Sequence, residues 1–131
     1  MKAKNLKLIA RTDEDLRIIS AHLQDSIVNT VNIASLKKNK IFLMQLNRFM
    51  WEDVEKGVFR KNRRVRCAIK FEEVLKVKSK NINQKHQNKA LEYLAIKSSL
   101  ISNSHSEIKI FFSGGGIITI TSEAIEVFMH D

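Results

Sequence analysis

The chain has 131 residues, 44% of them apolar, and a formal net charge of +9. This length is that of one domain, residues 1–131, and the apolar fraction excludes global disorder. The single cysteine, Cys67, excludes an internal disulfide and a thiolate zinc cluster, and no apolar run is long enough to cross a bilayer.

Leu6, Leu8 and Ala10 alternate with Lys7 and Ile9 and predict a short first strand. Thr12 is placed to cap a helix, with Asp13, Glu14 and Asp15 at its positive end. Leu16, Ile19, Leu23 and Ile27 follow as one apolar stripe, which predicts a helix over about 13–27. Val31 and Ile33 alternate with Asn32 and Ala34, and Lys37-Lys38-Asn39-Lys40 reads as a hairpin turn. The run I-F-L-M-Q-L-N-R-F-M-W is apolar on both faces in its first half and reads as a central strand. Residues 52–62 read as a charged loop.

Beyond that loop, Val65, Cys67, Ile69 and Phe71 alternate with Arg64, Arg66, Ala68 and Lys70, and Glu72-Glu73 breaks the register. Leu75 and Val77 resume it. Leu94, Ile96 and Ser98 suggest a further strand. Ile108 to Phe112 and Ile117 to Ile120 flank the glycines of F-F-S-G-G-G-I-I-T-I. The expected class is α+β: one N-terminal helix packed on a mostly antiparallel sheet, or a small split barrel, of about six to eight strands.

Gly114, Gly115 and Gly116 invite comparison with a phosphate loop. Such a loop needs a lysine, a hydroxyl residue and a helix after the last glycine. Here Ile117-Ile118-Thr119-Ile120 follows, which favours a strand. A hairpin is expected, with close approach of another backbone as the remaining reason for a third glycine. His22 and Asp25 are three residues apart near the helix end, beside Gln24, so a general-base pair is conceivable. Contacts that tie the helix end to a neighbouring strand explain the same residues. Gln45, Asn47, Phe49 and Trp51 share one strand face, a combination of amides and rings suited to binding. Arg48 and Glu52 fall on the other face, as a candidate pair. The densest basic stretch is Arg60, Lys61, Arg63, Arg64 and Arg66, which Lys76 and Lys78 could extend into a phosphate-gripping stripe. A bias toward Lys, Ile and Asn codons is the preferred account of much of the positive charge, because Lys is spread along the chain. Cys67 is expected as a small buried hydrophobe. His86, His105 and His130 have no metal-ligand spacing, so neither metal nor cofactor is expected.

L-K-L-I-A-R-T-D-E-D-L-R-I-I-S-A-H-L-Q-D-S-I-V, L-N-R-F-M-W-E, F-E-E-V-L-K-V-K-S-K-N-I and the glycine run, taken in order, resemble a bacterial family catalogued as domain-of-unknown-function family 2948. The resemblance implies a small, soluble, single-domain protein with no assigned activity, and so supplies no catalytic residue. It marks His22, Gln24, Asp25, Asn47, Arg48, Trp51, Glu52, Gly114, Gly115 and Gly116 as features of the family and hence as a candidate ligand or partner surface. The expected function is a cytoplasmic binding or interaction module without catalytic activity or membrane association. It would take a protein partner or associate with itself. RNA binding through the basic 60–66 patch with Lys76 and Lys78 is the alternative, followed by a hydrolase-like enzyme using His22 and Asp25.

Overall fold

The computed structural model describes residues 6–50, 64–82 and 89–131. In chain order these form β1 (Lys7–Ala10), α1 (Asp13–His22), β2 (Ile27–Leu36), β3 (Ile41–Phe49), β4 (Arg64–Phe71), β5 (Val74–Lys80), β6 (Ala90–Ser102), β7 (His105–Phe112), β8 (Ile117–Ser122) and β9 (Val127–His130). The strands make one nine-stranded sheet in the order β1-β9-β4-β3-β2-β6-β7-β8-β5. Every pairing is antiparallel. The class is the expected α+β, but there are nine strands rather than six to eight, and the sheet is open, with β1 and β5 as its edges. The extra strand is β9, a four-residue segment that lies between β1 and β4.

The helix begins as its cap predicts. The Asp15 N–H donates to Thr12 Oγ1 at 3.0 Å, and the Asp15 carboxylate accepts the Arg11 N–H at 3.1 Å. It ends five residues earlier than the apolar stripe suggests. Leu23 caps it, Asp25 adopts a left-handed φ of 64°, and Ile27 becomes the first residue of β2. Leu16, Ile19 and Leu23 are buried and Ile27 is exposed. The helix is fastened to β6 by Ser20, whose hydroxyl lies 2.7 Å from the Tyr93 hydroxyl and accepts the Ile96 N–H at 3.0 Å.

The central strand β3 buries Phe42, Met44, Leu46 and Arg48 on one face. β2 turns back on it through Lys37–Asn39 and a left-handed Lys40. β2 also joins the two halves of the sheet. Ile27 and Val28 pair with both β6 and β3, Asn29 pairs with β6, and after an irregularity Ile33 to Leu36 pair with β3. β4 and β5 are third and ninth in the sheet, yet only Glu72 and Glu73 separate them in sequence. The β5 edge of the sheet is therefore drawn round to the end of β4 at this corner. Glu73 has φ 58°. The Val74 N–H donates to the Lys40 carbonyl, Glu123 N–H to Glu73 O, and Glu72 N–H to Glu126 O, at 2.8–2.9 Å. A single buried cluster results, with Phe42, Ile69, Phe71 and Met129 from one half and Tyr93, Ile108, Ile110 and Ile120 from the other.

Arg48 continues the apolar face of β3 and is fully buried. Its Nε and Nη2 donate to the two carboxylate oxygens of Asp131 at 2.7 and 2.6 Å, a bidentate charged pair. Asp131 Oδ2 also accepts the Leu6 N–H, and the Asp131 N–H donates to Leu6 O, both at 3.0 Å. One ion pair thus links β3 to the β1–β9 edge. Removing either partner strands a buried charge, so Arg48→Ala or Asp131→Ala is expected to cost about 3–5 kcal/mol. Urea unfolding measures this. The double replacement Arg48→Met with Asp131→Leu should lose far less than the two single losses together.

Candidate functional site

A concavity lies where the open sheet leaves a gap. It has a volume of about 590 Å³ and is lined by Thr30, Val31, Ile33, Ser35 and Lys37 on or beside β2, Phe42 on β3, Val77 and Ser79 on β5, Ile82 just after it, and Ile118 on β8. This volume is in the range of small-molecule sites. Three features of the sequence create the gap. β2 leaves β6 after Asn29, so its second half pairs with β3 alone among the described residues. Among the described residues β5 pairs with β8 alone. The Glu72-Glu73 corner brings β5 round toward the β2–β3 turn.

The glycine run lies behind Ile82, one of the residues that line the cleft. Residues Ser113–Gly115 form a short turn between β7 and β8, with Gly114 at φ 79° and Gly115 at φ 82°. The Phe112 N–H donates to Gly116 O at 2.8 Å. Gly116 has an ordinary extended φ, and its reason is space: a Cβ there would lie 3.1 Å from Ile82 Cγ1 and 3.5 Å from Phe112 Cβ. Asn81 Nδ2 donates to Gly115 O at 3.1 Å. Two glycines therefore serve the turn and the third admits Ile82, a residue of the cleft wall.

The other sequence candidates separate. Among the described residues no hydrogen bond or ion pair joins His22 to Asp25. His22 is half-buried and its Nδ1 has no partner, whereas Asp25 is exposed in a left-handed turn. Gln24 is exposed beside them. Arg64 does bring the helix exit and β3 together, because its Nη1 donates to the carbonyls of Asp25 at 2.8 Å and of Asn47 at 3.1 Å. Beside this junction Asn29, Asn32, Gln45, Asn47 and Arg66 line a shallow depression of about 120 Å³. Gln45 and Asn47 of β3 thus share one depression, and Arg48 is not part of it. That residue was expected on a ligand surface but is buried, because it shares the parity of Phe42, Met44 and Leu46. Trp51, Glu52, Arg60, Lys61, Arg63 and His86 lie outside the described residues, and with them the expected Arg48–Glu52 pairing. Arg64 and Arg66 lie on β4 and Lys76 and Lys78 on β5; these strands do not pair, so the expected single basic stripe is divided.

Sequence reasoning missed Asp131. The signal was the parity of Arg48: an arginine on an apolar strand face requires a buried acid. Cys67 is buried as expected, at the register position of Leu46. Burial first, and then the nearby Asp131 carboxylate, push its thiol up to about 12 from an ordinary 9.0.

A family model described as "Protein of unknown function (DUF2948)" matches residues 6–131. The chain belongs to this family. The matched span includes both Leu6 and Asp131, the two residues that meet at the β1–β9 edge. No curated protein and no solved structure matches the chain. No helix among the described residues is long and apolar enough to cross a membrane.

Two predictions test this geometry. Gly114→Ala and Gly115→Ala should each lower stability by about 1–2 kcal/mol, read by thermal unfolding, since each forces a Cβ into the left-handed region. Cys67 should resist alkylation at pH 8 in the folded protein and react readily in urea. Because its folded value is raised, the stability it contributes is complete below pH 9 and is lost as pH rises from 9 toward 12.

Proposed function

We propose that the protein is a binding module whose ligand site is the cleft between β2 and β5, and that it takes a small amphiphile with an apolar body and an anionic head. The observation that carries this reading is the composition of the cleft wall. Ile33, Phe42, Val77, Ile82 and Ile118 offer an apolar floor, Thr30, Ser35 and Ser79 add hydroxyls, and Lys37 brings a cation. An apolar body would gain roughly 25 cal/mol for each Å² it removes from water. The hydroxyls and the ammonium would orient the head group, where a charge-assisted hydrogen bond is stronger than a neutral one. Binding without chemistry fits the separation of His22 from Asp25, which leaves that pair without the contact a general base requires.

Titration with anilinonaphthalene sulfonate, an apolar ring system carrying one anionic group, tests the reading. Saturable one-to-one binding to a cooperatively folded protein is expected. Ile118→Trp, which fills the cleft, should abolish it; Lys37→Glu should weaken it about tenfold and Lys37→Arg should leave it close to the parent. Binding that is absent, or that survives Ile118→Trp unchanged, sinks the proposal.

A further inference from the structure

The outer face of β5, β8, β7 and β6 carries an ordered set of lysines. In register, Lys97 on β6 lies opposite Lys109 on β7, Lys109 opposite Thr119 on β8, and Thr119 opposite Lys78 on β5. One row of four positions across four strands therefore holds three lysines. Along β5, Lys76 and Lys80 flank Lys78 on the same side, at intervals of about 6–7 Å. All three are exposed. The partners on this face do not neutralise it. Lys109 has Glu107 at 3.6 Å, and Lys97 sits 5.7 Å above the Phe111 ring. Lys78 crowds Lys76 enough to hold its ammonium below the ordinary lysine value.

Such an arrangement works against the fold, since like charges directly opposite on neighbouring strands are destabilising. A compositional excess of lysine explains their number but not their alignment. Phe111 adds a half-buried ring to the basic face. Cations at regular intervals around an accessible ring match a strand of phosphates and bases: the ammoniums take the backbone and the ring offers a stacking surface.

We propose that this face binds single-stranded nucleic acid, through Lys76, Lys78, Lys80, Lys97 and Lys109 with Phe111 beneath a base. The surface is independent of the cleft and does not rest on the reading given to it.

The test is fluorescence anisotropy with a labelled 20-nucleotide single strand, as RNA and as DNA, at 50 and 200 mM salt. Vesicles of phosphatidylserine and phosphatidylcholine serve as the alternative polyanionic surface. Binding is expected at 50 mM salt and should weaken steeply at 200 mM. Lys97→Glu with Lys109→Glu should weaken it by about tenfold or more and reduce the salt slope by about 1.4, which is about 0.7 for each lost phosphate contact on a single strand. Lys97→Gln with Lys109→Gln should reduce the slope by the same amount and guards against misfolding of the glutamate pair. Lys7→Glu with Lys38→Glu makes the same change in net charge elsewhere and should leave the slope unaltered. The proposal is overturned by any of three results: no binding at 50 mM salt, an equal loss in the Lys7/Lys38 variant, or vesicles that displace the oligonucleotide while showing the same dependence on Lys97 and Lys109.

Discussion

The shape of this molecule follows from a two-residue link. Glu72 and Glu73 leave too little chain for β4 and β5 to lie at distant places, although they are third and ninth in the sheet. A flat nine-stranded sheet cannot satisfy that link, so the sheet coils until its β5 edge comes round to the end of β4. The bonds from Glu72 to Glu126, Glu123 to Glu73 and Val74 to Lys40 hold the corner, and the left-handed Glu73 makes the sharp change of direction. Coiling places both halves around one core, and the helix packs against β6 and β1. The coiling also stops short of closure, and the shortfall is the cleft between β2 and β5.

The Arg48–Asp131 pair performs a different task. Apolar contacts would tolerate several positions of β9 against β4, whereas a buried bidentate pair tolerates one. Asp131 in turn fixes Leu6 through one side-chain and one backbone hydrogen bond, so the register of the edge depends on a charge near the end of β3. The position of the Cys67 thiol near the same carboxylate adds to the cost of its ionisation.

Period-two patterns were legible wherever a strand had one wet face: β4 and the β7–β8 hairpin follow their alternation closely. The cap of α1 was legible because it is made by neighbours in sequence, Thr12 and Asp15. Its end was not, because Ile27 fits a helical stripe and a strand equally well, and the left-handed turn at Asp25 decides between them. β9 escaped because four residues carry little periodicity, and its place in the sheet is set by β1 and β4. The glycine run was legible as a hairpin; the crowding of Gly116 by Ile82 was not, since that contact joins residues far apart in sequence. The cleft and the lysine row were hidden for the same reason. Both are properties of register across strands, and no single segment contains them.

The pairing of β1 with β9 also bears on how the chain acquires its fold. Lys7 meets His130 and Ala10 meets Val127, so nearly the entire polypeptide lies between the partners of one short ladder. Contacts of such sequence separation form late, because closing a long loop costs entropy before any contact repays it. During synthesis β1 emerges first and has no neighbour to pair with until the last residues of the sheet leave the ribosome. β1 carries an exposed Lys7 at this sheet edge, and a charged side chain on an edge strand disfavours pairing with another chain.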